Sequence, residues 1–397
     1  MLKKYGLPIL VGFGGYSTFV SAESLTTDIL LKNLYADRKY DAQQADVGSW
    51  SQGIIARTQG QYELTDKVAL QVTGSLQYAQ RLSEDQHIND VILPFDQTTG
   101  EQAEHYKKIA GSVALKYENQ KIHWGELWID TPLATTDYAR QLVTLYKGIT
   151  YQIEDLNQNL EIGQINRFSP RNEEDFRKLS VKGIESDALN YVNYKYKFAD
   201  QYFLNAYYGN LEDLYQQIHL GVDIKQPYRQ LKLHSKIRFY DNQETGQEKL
   251  GDIDSQYYGI LQNVSWKNHT LGLGYQKIAG NDAFPMIDTV PVLGYINWTQ
   301  AMFSRAKEKS LHVNYQYQFD SVIPNLVLDL KYIRGDGFQV AERSHAKEQQ
   351  LDVILSYKVK QGLFKGFGLQ WFNINYKNNF GGDYTENRVF TTYAYQF

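Results

Sequence analysis

The strongest constraint on the fold is an alternation of apolar and polar side chains with a period of two residues. In "KVALQVTGSLQYAQR", residues 67–81, Val68, Leu70 and Val72 fall on one side, and Gln71 and Thr73 fall on the other. Successive side chains of an extended strand point to opposite faces, so this pattern predicts a strand with one apolar and one polar face. The alternation returns in "KKIAGSVALKY", "LKLHSKIRFY", "SLHVNYQYQF", "NLVLDLKY" and "QLDVILSYKV". We therefore predict an all-β chain.

Two architectures alternate in this way, and they differ in which face meets water. A soluble sandwich directs its polar side chains to bulk water and its apolar ones into a shared core. A transmembrane barrel directs apolar and aromatic side chains to lipid and polar ones into the lumen, and its closure satisfies every backbone hydrogen bond. Strands of about ten residues, 32 Tyr and 18 Phe favour the barrel.

The first residues are typical of an export signal. "MLKKYGLPILVGFGGYSTFVSA" carries two lysines, a mostly apolar run and the small-residue ending Val20-Ser21-Ala22. This pattern predicts a signal peptide over residues 1–22 and a barrel over residues 23–397. A short buried helix is the alternative interpretation. No later stretch approaches the roughly 20 apolar residues of a membrane helix, and the chain has no cysteine.

The breaks between strands alternate between tight turns and longer connections. Tight breaks fall near Thr65-Asp66 and Gln226-Pro227, for example, and longer ones near 80–105 and 335–347. Eight tight turns and nine outer connections predict about eighteen antiparallel strands, the even count and loop asymmetry of a bacterial outer-membrane barrel. A count of sixteen stays open at this point.

The chain ends in "RVFTTYAYQF", which predicts the last strand of the barrel. The residues with one parity carry an aromatic stripe that would face lipid, namely Val389, Thr391, Tyr393, Tyr395 and Phe397. This strand is expected to close the barrel against the first one. A terminal Phe behind alternating aromatics resembles the signal by which the barrel-assembly machinery recognises its substrates, so Phe397 is expected to bind that machinery.

Parity also predicts which charges enter the lumen. The total charge of −4 gives no reason to expect nucleic acid as a partner. When the apolar residues of each strand face outward, a basic arc on adjacent strands faces inward: Lys32, Arg38, Arg57, Arg81, Lys108, Lys116 and Arg388. A second inward row contains Lys232, His234, Lys236 and Arg238. Such charges can be merely solvated, but a concentrated set lowers the electrostatic barrier to anions.

Two outer connections have the composition of loops that fold into the lumen. The third, "DTPLATTDYARQL" over residues 130–142, has small apolar residues and would present Asp137 and Arg140 to a solute. The seventh, over 280–307, contains the apolar run "VPVLGYINW", which would bring Asp282 or Asp288 near the constriction. The sequence leaves open which of the two acids does so.

Several motifs resemble the OprD family of substrate-specific porins, also called outer-membrane carboxylate channels. They are "LLKNLY", "WSQG", "WGE", "LEDLYQQ", "GYQKIAGNDAF" and "EKS", in this order through nearly the whole chain. The resemblance implies a monomeric eighteen-stranded barrel in which the third and seventh loops form a narrow eyelet and basic side chains lead a carboxylate through.

By matching position, the resemblance places six residues in this basic ladder: Lys32, Arg38, Lys108, Lys116, Arg140 and Arg388. Arg57 and Arg81 come from parity alone. Several family arginines appear here as lysine, which loses the bidentate grip on a carboxylate. The penultimate strand carries Gln370, Asn373 and Asn375 where the family often has arginines.

The predicted function is passive, selective uptake of small carboxylates, aromatic or other simple acids, across a bacterial outer membrane. The expected surroundings are lipid and lipopolysaccharide, and no cofactor is predicted. A channel for basic amino acids and a nonspecific porin or adhesion barrel are alternatives. A membrane-embedded hydrolase is a third, for which His219 beside Asp223 is the candidate pair, but the chain lacks H-E-x-x-H, cysteine and, after the signal segment, G-x-S-x-G.

Overall fold

A computed structural model describes residues 24–41, 44–84, 92–96, 98–290 and 300–397. The predicted signal peptide lies outside the described residues, as does most of the "VPVLGYINW" segment. No helix in the described ranges is long and apolar enough to cross a membrane.

Eighteen strands form one sheet, and two further short strands, β8 and β9, form a hairpin of their own. The strands are β1 Ser24–Tyr40, β2 Val47–Thr65, β3 Val68–Arg81, β4 His105–Tyr117, β5 Gln120–Leu127, β6 Leu145–Glu154, β7 Gln158–Ser169, β8 Leu179–Val181, β9 Ile184–Ser186, β10 Leu189–Phe198, β11 Tyr202–Leu211, β12 Tyr215–Tyr228, β13 Leu231–Glu244, β14 Asp254–Trp266, β15 His269–Gly280, β16 Lys309–Gln318, β17 Leu326–Val340, β18 Arg343–Lys358, β19 Phe367–Asn378 and β20 Tyr384–Gln396.

The sheet closes on itself as a barrel. Each of the eighteen strands pairs antiparallel with its neighbour in the chain order, and β7 pairs with β10 across the β8–β9 hairpin. The last strand pairs with the first in a register that sets Leu30 opposite Ala394. Closure leaves no free sheet edge, which is the condition for a sheet to span lipid. The predicted all-β barrel and its count of eighteen strands are confirmed.

The two faces of the wall follow the predicted parity. On β1, Leu31 and Tyr35 are 45% and 44% exposed, whereas Leu34 between them is fully buried inside the barrel. On the last strand Tyr395 and Phe397 are exposed on the outside. An apolar outer surface of this kind is stable against lipid and would be costly in water.

The penultimate strand corrects one interpretation of the sequence. Asn373 and Asn375 do not face the lumen: Asn373 Nδ2 donates to Asn387 Oδ1 at 2.9 Å on the outer face of the wall. The inward residues there are Ile374, which is fully buried, and Tyr376. The upper lumen beside β19 is therefore lined by an apolar cluster.

The connections keep the predicted asymmetry but differ in two places. The turn after β12 lies at Arg229-Gln230, and β12 continues through Pro227, whose expected turn is wrong. The connection predicted over 335–347 contains only Ala341 and Glu342, because β17 and β18 extend above the rest of the wall. The alternation in "HAKEQQL" continues strand parity, and this explains the extension.

The candidate constriction

Loop 3, the connection over residues 128–144, folds into the lumen. Leu133 and Ala134 pack in one buried cluster with Tyr146 and Phe168, and Leu142 packs in a second. Loop 7, residues 281–308, also enters the barrel, since Phe284 lies against inward-facing aromatics of β13 and β14. The predicted inward fold of the third and seventh loops is confirmed, and the aliphatic residues of loop 3 explain why it leaves water.

Lys32 anchors loop 3 to the barrel wall. Its Nζ donates to the backbone oxygen of Tyr138 at 2.5 Å and to that of Arg140. In return Gln141 Nε2 donates to the Lys32 backbone oxygen at 2.9 Å. Lys32 is 5% exposed, so its charge acts on the loop backbone and only indirectly on a passing solute.

Lys108 holds two loops at once. Its Nζ donates to the backbone oxygens of Val143 at 3.0 Å, Ser169 at 3.2 Å and Pro170. Val143 belongs to loop 3, and Pro170 begins loop 4, which spans residues 170–188. Three carbonyl acceptors satisfy the three ammonium protons of this buried lysine. Lys108 lies inward, as parity predicts, but it faces loop backbone.

Glu126 is a buried acid below loop 3 that the parity argument missed. Its carboxylate accepts from Ser75 Oγ at 2.7 Å and from the indole of Trp128, the first residue of the loop. It turns inward because Gly125 has a positive φ of 110° and breaks the alternation of β5. A Cβ on Gly125 would lie 2.6 Å from the Gly111 oxygen. The "WGE" motif is the sequence signal for this bend.

Ion pairs and amides then join the loops to each other. Asp137 of loop 3, which is buried, pairs with the partly buried Arg171 of loop 4. Asp288 of loop 7 accepts from the Lys182 amide at 2.9 Å and from Ser180 Oγ at 2.8 Å, which fixes loop 7 to the β8–β9 hairpin. The carboxylate of Asp288 thus serves a contact between loops.

Asp282 is also bonded to backbone. It accepts from the Asp254 amide at 2.9 Å at the outer end of β14. Both loop 7 acids line a cavity above the constriction, together with Arg171 and Arg305. Asp137 and Glu386, and not the two loop 7 acids, lie beside arginines of the constriction. Glu386 was not among the predicted residues.

Two arginines of the basic arc share one carboxylate at the seam of the barrel. Arg38 donates to Glu386 Oε2 through Nε at 2.8 Å and through Nη2 at 2.6 Å. Arg388 donates to the other oxygen of Glu386 and to Gln300 at the end of loop 7. Arg38 also stacks 4.4 Å from the centroid of the Tyr384 ring. One negative charge therefore faces two guanidiniums.

Arg140 of loop 3 completes this cluster. It is 6% exposed, and its Nη1 donates to the backbone oxygen of its neighbour Ala139 at 3.0 Å. Burial lowers the pKa of Arg140, the guanidiniums of Arg388 and Arg171 lower it further, and the carboxylates of Glu386 and Asp137 raise it. The constriction cluster, Arg38, Arg140, Arg171 and Arg388 with Asp137 and Glu386, therefore has an excess of positive charge.

Cavities lie on both sides of loop 3. The outer one has a volume of about 750 Å³ and is lined by loop 7 and by Glu348, Tyr376 and Tyr384 of the wall. The inner one, about 900 Å³, is lined by Arg57, Trp128 and the short turn after β18. The Arg57 guanidinium stacks on the Trp128 ring at 5.1 Å. A solute thus meets wide compartments before and after the narrow cluster.

The remaining predicted residues lie at the two ends of the barrel. Arg81, at the top of β3, donates to the Gln102 backbone oxygen at 2.6 Å and holds the second outer connection. Lys116 is exposed near the end of the barrel that carries the short turns, opposite Lys121. Neither belongs to the constriction cluster.

The proposed hydrolase pair does not form. His219 is buried and its Nδ1 contacts the Phe239 backbone oxygen at 3.0 Å. Asp223 instead accepts from His234 at 2.8 Å and Arg238 at 2.6 Å. The orienting acid is therefore engaged elsewhere.

The described geometry matches known porins. The family model for the outer membrane porin, OprD family, matches residues 19–397. This chain belongs to the OprD family of outer-membrane porins. It is a channel of the bacterial outer membrane and not an enzyme.

Three relatives of this OprD-family porin illustrate the similarity. The crystal structure of Acinetobacter baumannii OccAB4 is 37% identical, with a TM-score of 0.90 over 95% of this chain and 99% of that one. That of Pseudomonas aeruginosa OpdK with vanillate is 24% identical and shares the fold, with a TM-score of 0.89 over 95% and 100%. The porin-like protein GalP of Pseudomonas putida is 24% identical over 92% of this chain and 90% of GalP.

Proposed function

We propose that this porin takes up small carboxylates selectively and passively, with aromatic and other simple carboxylic acids as its solutes. The observation that carries the proposal is the constriction cluster, where four guanidiniums lie with two carboxylates around the inward-folded loop 3. The uncompensated positive charge favours an anion at the narrowest part of the lumen.

The surroundings of the cluster strengthen this electrostatic preference. Low-dielectric walls concentrate the field of a charge, so a buried cation acts on a solute more strongly than an exposed one. Conduction also requires that each site release its solute, and this is easier when several moderate sites follow one another. Arg57 below the loop and Arg305 above it supply charges on either side of the cluster.

Aromatic contacts support the choice of solute class. Arg38 and Arg57 each stack on an aromatic ring of the lumen, and Trp128 and Tyr138 lie 6.0 Å apart on the inner side of loop 3. Flat rings of this kind suit an aromatic solute. The similar porin OpdK has a structure with vanillate, which is an aromatic carboxylate.

Exchange of Arg140 or Arg388 for glutamine tests the proposal. We expect uptake of benzoate into proteoliposomes to fall roughly tenfold, since a hydrogen bond to a charged group is worth about 1.5–3 kcal/mol, whereas glucose uptake stays the same. Liposome swelling measures both rates. Arg229→Gln, in the short turn after β12, is the matched control.

Two outcomes contradict this proposal. An unchanged ratio of benzoate to glucose uptake in both variants would remove the cluster from solute selection. Equal uptake of benzoate and glucose by the wild type would indicate a nonspecific porin. Heat-dependent migration on gels verifies that each variant still forms the barrel.

A channel for basic amino acids is the second candidate, and the outer cavity favours it. Glu348 is 4% exposed on the lumen side, close to Glu308 at the end of loop 7, and both acids lie near Arg305. The Glu348 carboxylate at the entrance offers a negative charge to a cationic side chain. Faster swelling with arginine than with benzoate would favour this candidate.

A further inference from the structure

The second basic row predicted from the sequence forms a separate recess in the wall, outside the constriction cluster. It lies on β13 to β17, in the half of the barrel next to the short turns, and encloses about 580 Å³. Lys232, Lys236 and Lys331 line it, with His234, His312 and Asp329 between them. Among the described residues, none of these side chains takes part in the contacts that hold loops 3, 4 and 7.

Two glycines of β15 lie between side chains that line this recess. The pairing of β14, β15 and β16 sets Gly272 between Asn263 and Asn314, and sets Gly274 between Leu261 and His312. Both glycines have the inward parity of β15, and a Cβ at Gly272 would lie 1.9 Å from Asn314 Oδ1. The side chains of Asn263 and Asn314 occupy the space over Gly272, so the absence of a Cβ there lets these two lining amides approach each other. Side chains of β13, β14, β16 and β17 line the recess around them.

The lysines of the recess differ from the buried lysines near loop 3. No carboxylate in the described ranges lies within 4.0 Å of the Nζ of Lys232, Lys236 or Lys331. Asp223, the nearest inward acid on β12, is already held by His234 and Arg238. Asp329 is the acid that shares the recess with them. With Lys267 of the turn after β14, four lysines thus line the recess together with one carboxylate.

His312 supplies an independent indication of a ligand. It is 4% exposed, it lines the recess, and neither ring nitrogen has a hydrogen-bond partner among the described residues. Asn314 Oδ1 and Asp329 Oδ1 also lack partners there. Buried polar groups are normally hydrogen-bonded, so unpartnered ones that line a cavity are suited to a polar solute.

We propose that this recess is a second binding station for small carboxylates, which a solute occupies after it has passed the constriction. The inference rests on the proposed function for its solute class. Lysine ammonium groups on flexible stems reach a carboxylate bound in the recess, and the imidazole of His312 donates to a carboxylate oxygen. Because the lysines are partly solvated, the station holds its solute weakly and releases it.

The chloride current of the purified full chain in a planar bilayer tests the station directly, with benzoate as the inhibitor. In the double variant K236Q/K331Q we expect the half-inhibiting benzoate concentration to rise about fivefold. The rise is modest because a partly exposed ion pair between a lysine and benzoate contributes little binding free energy. His312→Ala should raise it as well. The matched control is K67Q/R229Q, two exposed cationic residues of short turns.

Each outcome decides one of the two proposals. An unchanged half-inhibiting concentration in K236Q/K331Q, an equal change in the control, or a wild-type current that benzoate does not reduce would overturn the station. The proposed function is judged separately by benzoate swelling and the Arg388 variant. A third result is that K236Q/K331Q loses inhibition while wild-type liposomes swell equally in benzoate and glucose. This result would refute selective uptake and leave the station intact.

Discussion

The two basic regions of the lumen look alike in sequence and differ in what their charges contact. At loop 3, Lys32 and Lys108 are almost fully buried, and their ammonium groups donate hydrogen bonds to backbone oxygens of the loops. In the recess, Lys236 and Lys331 are partly exposed and lie without a carboxylate partner in the described ranges. The same residue type therefore builds the narrow passage in one region and is available to solute in the other.

The difference shows that inward direction alone does not make a cation a binding site. A lysine beneath an inserted loop donates hydrogen bonds to carbonyl groups that have lost water, and it thereby stabilises the loop. Where no loop covers the wall, the same side chain keeps its hydration and can exchange water for an anion. Arginines of the constriction cluster combine both properties, because Arg38 and Arg388 share Glu386 and still leave excess charge.

The largest expected effect in this comparison is that of Lys108→Met. Three backbone oxygens, one each from loop 3, loop 4 and the last residue of β7, would lose their donor, so we expect the free energy of unfolding to fall by about 2–4 kcal/mol. The freed loop should also widen the passage and raise single-channel conductance. Urea unfolding in lipid vesicles and bilayer recordings measure the two effects.

Lys116→Met is the matched control for this change. Lys116 lies on the same strand and the same face but is exposed. If both variants lose the same stability, the contacts of Lys108 with the loops do not contribute as described.

An intermediate effect is expected from pH at the end of loop 7. Burial and the neighbouring Glu348 raise the pKa of Glu308 from 4.5 to about 10. The folded protein therefore holds this proton over a range in which the unfolded chain has released it, and stability decreases as the pH rises from 4.5 towards about 10. We expect loop 7 to detach from β18 at alkaline pH, with noisier single-channel currents.

Glu308→Gln, which keeps the shape of the neutral carboxyl, should flatten this pH dependence. Glu342→Gln in the exposed turn between β17 and β18 serves as its control. A pH dependence that persists unchanged in Glu308→Gln would assign it to other groups.

The smallest expected effect is that of Lys331→Met in the recess. Because this lysine is partly exposed and lacks an acid partner in the described ranges, its removal should change the free energy of unfolding by no more than about 0.5 kcal/mol. The same unfolding assay applies. A loss comparable to that of Lys108→Met would show that the recess lysines are structural, and the contrast between the two regions would disappear.

Most of the barrel could be predicted because side-chain parity is a local property of a strand. The alternation in residues 67–81 and the final aromatic stripe fix which face meets lipid, without any knowledge of neighbouring strands. The prediction was wrong where local signals were weak. Residues 335–347 look polar enough for a loop but continue β17 and β18. Pro227 is the penultimate residue of β12 and does not form the turn that follows it.

The site was less predictable because it depends on where the loops come to rest. Parity places Lys32 and Lys108 inside the barrel, but only the path of loop 3 determines that carbonyl groups cover them. Glu126 escaped prediction because the positive φ of Gly125 shifts the parity of its strand. Arg171 and Glu386 required knowledge of contacts between distant segments, which spacing in one sequence does not contain.

The seam between β1 and β20 has a consequence for biosynthesis. The Thr27 amide donates to the Phe397 oxygen at 2.8 Å, and the Phe397 amide donates back to the Thr27 oxygen at 3.1 Å. The ribosome synthesises β1 first and β20 last, so the side of β1 that pairs with β20 has no partner until the final codons have been translated. During that interval its bare amides and carbonyls can template aggregation. The barrel therefore cannot close until residues from both ends of the chain meet.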